Sequence, residues 1–325
     1  MLLWPTVALL GGIGLLIVSA DKFVEGAAAT AKRLGLPPLL IGMLVIGFGS
    51  SMPEMVISAL SSLQGNPGLA LGNAFGSNIT NIALILGLTA VIRPIVVGSS
   101  VLRRELPILF MITALVASLF YYDHKLDRID GLFLIALFLG LTIWAIYAGI
   151  KTKHDLLADE VAQALRIPLS LKTALIYTGV GLVFLVISSR ILVWGGVEIA
   201  HYYGISDLII GLTIVAIGTS LPELASAIAA IRKNEPDLVL GNVIGSNMFN
   251  TTVVLGITGV IAPTGLETDI LYRDIPVMSI LTIILFFVAY RIRGASVGRI
   301  NRIEGGFLLV IYVGYYINIA FNTLT

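Results

Sequence analysis

The chain has 325 residues, of which 57% are hydrophobic and 12% charged, with a formal net charge of +1 and no cysteine. An average soluble domain carries roughly 25% charged residues, so the composition excludes an ordinary soluble protein and points to an integral membrane protein. Disulfides and thiolate metal sites are excluded with the cysteines, and the near-neutral balance offers no electrostatic footprint for nucleic acid.

Apolar runs long enough to cross a hydrocarbon core of about 30 Å as helices recur along the whole length. In chain order they cover 3–31, 37–62, 68–92, 105–121, 130–150, 171–199, 206–231, 237–262, 275–291 and 304–322. The first run leads into a continuing membrane domain and lacks a basic leader and a cleavage site, so it reads as a retained span. With the N-terminus outside, the inner loops hold fifteen of the twenty Lys and Arg residues, among them Lys32, Arg33, Arg93, Arg103, Arg104, Arg232, Lys233, Arg299 and Arg302. The outer loops then hold only Lys125, Arg128 and Arg273. The positive-inside rule therefore predicts a multi-pass protein with both termini outside. The longest polar connection, 151–172, becomes a short cytoplasmic linker, too short for a folded domain.

Residues 35–87 align without gaps to 204–256 at a constant offset of 169, with 19 of 53 positions identical. The identities include Gly49/Gly218, Ser51/Ser220, Pro53/Pro222, Glu54/Glu223, Gly72/Gly241, Asn73/Asn242, Gly76/Gly245, Ser77/Ser246, Asn78/Asn247 and Asn81/Asn250. Five spans separate equivalent points, so equivalent helices enter the membrane in opposite directions. The expected fold is all-α: ten transmembrane helices forming two inverted five-helix repeats, 1–150 and 173–325, joined by the linker. Secondary transporters are built in this way, with the substrate site near the midplane between the repeats.

Within each repeat a helix carries a breaker beside a charge. Pro53 lacks an N–H and its ring clashes with the carbonyl four residues back, so helix 2 breaks there, as helix 7 breaks at Pro222. A carbonyl released in hydrocarbon must face protein, water or an ion. On a helix Ser50, Ser51 and Ser58 lie at i−4, i−3 and i+4 from Glu54 and so share its face. Asn73, Ser77 and Asn81 form a polar stripe at i, i+4 and i+8 of the third span, and Thr219, Ser220 and Glu223 with Asn242, Ser246 and Asn250 repeat the pattern.

The ligands so assembled are all oxygens, and His124, His154 and His201 lie outside the stripes, which suits hard cations such as Na+ and Ca2+. Two carboxylates match the charge of one Ca2+ or two Na+. The alternative for the asparagines and for Gly72/Gly76 and Gly241/Gly245 is helix packing. An intramembrane carboxylate is costly by at least about 2.5 kcal/mol, and neither glutamate has a basic residue within helical reach, which marks that pair as functional. Asp21, Lys22, Glu25, Arg190 and Glu198 also fall within spans and read as structural or gating charges.

The segments GSSMPE with GNAFGSNITN, and GTSLPE with GNVIGSNMFN, resemble the paired alpha repeats of the cation/calcium exchanger superfamily, above all its compact prokaryotic sodium/calcium exchangers. The resemblance implies an antiporter that moves Ca2+ outward using the inward Na+ gradient, with alternating access by movement of helices 1 and 6 against the other eight. It implies cation ligands at Glu54, Asn81, Glu223 and Asn250, joined by Ser50, Ser51, Ser77, Thr219, Ser220 and Ser246 and by backbone carbonyls near Gly47 and Ala216. Some relatives, potassium-dependent ones among them, carry aspartate in place of Asn250, so two asparagines argue against K+ co-transport.

The expected partners are thus Na+ and Ca2+ as transported ions and the lipid bilayer, with no resident cofactor and no obligatory protein partner. A cation/proton antiporter on the same scaffold is the alternative. No metalloprotease pair, aspartate-rich metal-phosphate motif or nucleophile with a histidine partner supports an enzyme.

Overall fold

A computed structural model of the chain describes residues 2–34, 42–97, 104–151, 169–203, 216–290 and 298–324. Most of the linker at 151–172 lies outside them, as do the starts of both repeat segments, 35–41 and 204–215, and Arg103. Helices make up nearly all of what is described. They are α1 (Leu3–Leu34), α2 (42–50), α3 (Met52–Leu63), α4 (Pro67–Ile92), α5 (Leu106–Asp123), α6 (Arg128–Lys151), α7 (Leu171–Tyr202), α8 (Ala216–Thr219), α9 (Leu221–Arg232), α10 (Pro236–Ile261), α11 (270–290) and α12 (Arg302–Leu324). Among the described residues eight helices are long and apolar enough to cross a membrane: α1, α4, α5, α6, α7, α10, α11 and α12. The two remaining expected spans are the two with internal prolines, and each is divided, at Ser51 and at Ser220. The ninth span starts earlier than expected, because a π-helical turn over Ile270–Asp274 runs straight into the apolar helix and carries Arg273 with it.

The polar helices form the centre. The span window of α10 is 94% buried and that of α4 72%, against 28% for α1 and 19% for α7, whose apolar side chains face outward as a lipid-exposed surface would require. Without a hydrophobic drive between helices in lipid, close approach of backbones through small residues is what packs them. A Cβ at Gly12 would stand 3.1 Å from Leu192 and one at Gly181 2.7 Å from Phe23, while Gly26 meets Ala174 and Thr178, and Gly195 meets Pro5 and Leu9. These contacts make α1 and α7 antiparallel partners, and each is the counterpart of another at the offset of 169.

Further reciprocal contacts tie α6 to α10 and α12 to α4. Gly131 packs on the carbonyl of Gly256, and Gly305 on that of Gly87. Both α6 and α12 open with reciprocal caps. The Ile129 and Asp130 N–H groups donate to Asp127 Oδ1 (2.8 and 3.0 Å) and the Asp127 N–H to Asp130 Oδ2 (3.0 Å). Ile303, Glu304 and Asn301 repeat the arrangement at 2.8, 3.0 and 2.7 Å. Hydrogen bonding from the Asp130 N–H, with smaller contributions from Ile129 and Lys125, holds the Asp127 carboxyl below the usual carboxylate range.

Two short antiparallel ribbons close the ends. β1 (Ile95–Val97) pairs with β4 (Gly298–Ile300), and β2 (Lys125–Leu126) with β3 (Thr264–Gly265). The turn between α3 and α4 needs a left-handed residue, supplied by Gly65 (φ +77°), and the turn between α9 and α10 uses Asn234 (φ 62°).

The charges expected inside the first and sixth spans do not enter the centre. Lys22 pairs with Glu25 at 3.0 Å and lies 4.8 Å from the Tyr177 ring centroid, and Arg190 and Glu198 are exposed.

Candidate functional site

The site forms where the divided helices meet α4 and α10. Ser51 (φ −83°, ψ 6°) and Ser220 (φ −87°, ψ 6°) interrupt the helices in the same way. Pro53 and Pro222 then fall in the first turn of α3 and α9, where a missing N–H is tolerated. The same restart places Glu54 and Glu223 in the first turn, where the helix dipole favours a carboxylate.

Each break is bridged. The Ser51 N–H donates to the Gly47 carbonyl at 3.1 Å and the Ser220 N–H to the Ile217 carbonyl at 3.1 Å. The Gly47 carbonyl sits at the centre of the cluster and also meets the hydroxyls of Ser246 (3.3 Å) and Ser50 (3.5 Å). Ala216, its counterpart, begins α8.

Close backbone contact holds α2 on α10: a Cβ at Gly245 would fall 2.5 Å from the Met43 carbonyl oxygen, and one at Gly47 3.0 Å from the Ser246 nitrogen. Gly241 and Gly245 therefore do the packing work that their spacing suggests.

The break changes which serine serves which glutamate. Ser51 does not share the face of Glu54, because the helical i−3 relation ends at the break; its hydroxyl donates across the interface to Glu223 Oε1 at 2.9 Å. Ser50 binds the Ile46 carbonyl (2.8 Å) and Asn242 Oδ1 (3.1 Å). Ser58 is likewise drawn away, donating to the Ala70 carbonyl at 3.4 Å and accepting from Asn73 at 3.1 Å. Glu54 instead meets Ser77 of α4, 3.5 Å from its Oε1, and Thr219 from the other half. Ser50 and Ser246 also reach Glu223. Each carboxylate is thus lined by hydroxyls from both halves.

Asn73 and Asn242 turn out to be braces. Their side-chain amides donate to the backbone carbonyls of Glu54 (3.2 Å) and Glu223 (3.1 Å), fixing the restarted helices against α4 and α10.

Asn81 lies in a π-helical turn of α4, Thr80–Leu86, and donates to Asn247 Oδ1 at 3.0 Å; Asn250 opens the matching turn of α10, Asn250–Val254. Asn78 and Asn247 were not expected in the site. Asn247 receives Asn81 and points its own amide at the Asn78 carbonyl (3.5 Å), and Asn78 donates to Thr251 at 2.7 Å, so they stitch α4 to α10 beside the carboxylates. Their identity across the repeats was the available signal; the i, i+4 stripe passed over them.

Both carboxylates are buried, at 0% and 1% exposure, and no ion pair among the described residues includes either. One oxygen of each, Glu54 Oε2 and Glu223 Oε2, has no hydrogen-bond partner, nor do Asn81 Oδ1, both side-chain atoms of Asn250 and the Ser220 hydroxyl. Buried acceptors are ordinarily satisfied, and isolated charges in a low-dielectric interior are strongly disfavoured. Several oxygens stand ready for a cation. Among the described residues no cluster of three or more His, Cys, Asp or Glu exists, so the charge supplied is that of two carboxylates.

A family model described as sodium/calcium exchanger protein matches residues 4–147 and 173–321. The chain belongs to this family. This exchanger-family chain is 38% identical to the inner membrane protein YrbG of Escherichia coli, over 98% of both proteins. It is 28% identical to the sodium/calcium exchanger MaX1 of Methanosarcina acetivorans, over 95% of its own length and 96% of the relative's. Among solved structures it is similar to the sodium-calcium exchanger NCX_Mj soaked with Na+ and Sr2+, with a TM-score of 0.84, 30% identity and coverage of 98% of this chain and 99% of the other. The exchanger-family chain is therefore a multi-pass, all-helical membrane protein with the NCX_Mj fold, and a cation antiporter.

Proposed function

We propose that this antiporter exchanges Na+ for Ca2+ by alternating access, with the ions competing for Glu54 and Glu223. The carrying observation is the set of buried, unpartnered oxygens on both carboxylates and on Asn81 and Asn250, with no cationic side chain among the described residues paired to either carboxylate. Ser50, Ser51, Ser77, Thr219, Ser220 and Ser246 and the carbonyls of Gly47 and Ala216 complete the oxygen set. Ca2+ takes six to eight oxygens, and a charge of −2 balances one Ca2+ or two Na+. The relatives named as sodium/calcium exchangers support this cargo.

The reciprocal contacts at a fixed offset support reading the ten spans as two inverted halves, 1–150 and 173–325, about the 151–172 linker. Because α1 and α7 pack on each other yet bury little of their surface, they are suited to slide as a pair across the site. The loop charges support a cell-membrane orientation with both termini outside, and YrbG is named an inner membrane protein.

The test is radiolabelled Ca2+ uptake into proteoliposomes under an imposed Na+ gradient or an imposed pH gradient. Uptake driven by Na+ alone supports the proposal; uptake driven by pH alone, with no Na+ present, would replace it with proton antiport.

A further inference from the structure

Away from the carboxylates, the β1–β4 ribbon borders a cavity of about 330 Å³ lined by Arg93, Pro94, Val96, Ile231, Asn234, Pro236 and Arg299. Three connections meet there: the one following α4, the turn between α9 and α10, and the strand before α12. Arg299 stands opposite Val96 in the ribbon, so both emerge on one face. Arg93 and Arg299 are exposed, and no ion pair among the described residues includes either. Glu235, the acid nearest in the turn, already has a partner.

The corresponding place on the opposite side of the molecule is built differently. Ala262 stands where Arg93 would be, and Lys125, opposite Gly265 as Arg299 is opposite Val96, is neutralised by Asp123 (3.0 Å) and Asp127 (3.5 Å). At these matched positions, among the described residues, one side therefore keeps two guanidinium groups without an ion pair at a cavity, and the other keeps an alanine and a neutralised lysine. Val96 (47% exposed) lines the cavity and Ile92 (48%) directly precedes Arg93, so exposed apolar side chains adjoin the two guanidinium groups, as at a border between hydrocarbon and headgroup. Guanidinium groups bind phosphate oxygens in forked, charge-assisted pairs. Basic pockets between transmembrane helices on the cytoplasmic side suit anionic headgroups.

We propose that Arg93 and Arg299 hold the phosphate of an anionic phospholipid, the acyl chains running along Ile92 and Val96. On the orientation given by the loop charges this is the cytoplasmic leaflet, where anionic lipid is concentrated; the binding itself does not depend on which ions are exchanged.

The experiment titrates purified full-length protein in neutral detergent with phosphatidylglycerol, with phosphatidylcholine and with inorganic phosphate, reading the thermal midpoint and lipid retention by native mass spectrometry. Phosphatidylglycerol is expected to raise the midpoint and co-purify, whereas phosphatidylcholine and inorganic phosphate leave it unchanged. Arg299→Gln, at an exposed strand position, should weaken the apparent lipid affinity about fivefold, and Arg93→Gln/Arg299→Gln roughly thirtyfold. Lys172→Gln, an exposed basic residue on the same predicted face but outside the cavity, should not weaken it. If the double variant is poorly produced, the single variant and the charge-keeping Arg299→Lys carry the comparison. Equal affinity in Arg299→Gln and parent, equal loss in Lys172→Gln, or a midpoint shift produced by inorganic phosphate alone would overturn the assignment.

Discussion

Replacing Gly245 by alanine probes how tightly the site is built. The added Cβ would lie 2.5 Å from the carbonyl oxygen of Met43, 2.7 Å from its Cα and 3.0 Å from its carbonyl carbon, all backbone atoms that no rotamer change can move aside. An ordinary contact begins near 3.4 Å, so α2 must retreat from α10 by roughly 0.9 Å or the helices must part, in an interior packed as densely as an organic crystal. Overpacking of this kind costs about 1 to 3 kcal/mol, and each kcal/mol moves a thermal midpoint by roughly 2 to 4 °C in chains of 150 to 250 residues. The expected result is a midpoint several degrees below that of the parent in detergent. Transport should fall as well, because the neighbouring Ser246 hydroxyl lies 3.3 Å from the Gly47 carbonyl and reaches Glu223. Gly314→Ala is the control: Gly314 is an exposed position on α12 with nothing within 4 Å of an added Cβ, and alanine is the better helix former by up to about 1 kcal/mol. A Gly245→Ala protein with the parent's midpoint would refute the close crossing of α2 and α10.

The asparagines separate in the same spirit. Neither side-chain atom of Asn250 has a partner, so Asn250→Asp removes an idle donor and adds a carboxylate. Two charges 4 Å apart interact by about 4 kcal/mol at an effective dielectric of 20; allowing for desolvation, the Ca2+ KM of exchange at alkaline pH should fall on the order of tenfold. Asn81→Asp should lower stability instead, because it replaces the donor in the 3.0 Å bond to Asn247 Oδ1 by a second acceptor, which thermal unfolding would reveal. Acidification should inhibit exchange, since protons neutralise the oxygens that cations need: transport is full at mildly alkaline pH and declines as pH falls. A rate independent of pH across that range, followed by radiolabelled Ca2+ uptake, would contradict shared use of the carboxylates.

Much of this was legible in the sequence because the costly residues have few explanations in a membrane. A proline beside a glutamate, found twice at one spacing, named both the broken helices and the carboxylates, and the structure brings these together. What the spacing could not give was the partner of each hydroxyl. Ser51 sits three residues from Glu54 in the chain, yet it binds Glu223, because the break at Ser51 removes the helical geometry on which the face assignment rested.

Asn78 and Asn247 escape the i, i+4 stripe for a different reason: each follows a stripe serine by one residue in regular α-helix, and so turns off that face to bond the opposite polar helix. The repeat also extends further than the gapless alignment reaches. Arg104, Glu105 and Pro107 match Arg273, Asp274 and Pro276 at the same offset, but Arg128, Asp130 and Gly131 match Arg302, Glu304 and Gly305 at 174, after five extra residues. The matching caps and glycine contacts of α6 and α12 make that second register plain.

The central claim is that Glu54 and Glu223 carry the exchanged ions. Na+-gradient-driven uptake of radiolabelled Ca2+ into proteoliposomes, comparing the parent with Glu54→Gln and Glu223→Gln at matched reconstitution, tests it most directly. Either substitution keeps the shape of the side chain and removes its charge, and each is predicted to abolish exchange. Exchange at the parent's rate in both variants would contradict the account.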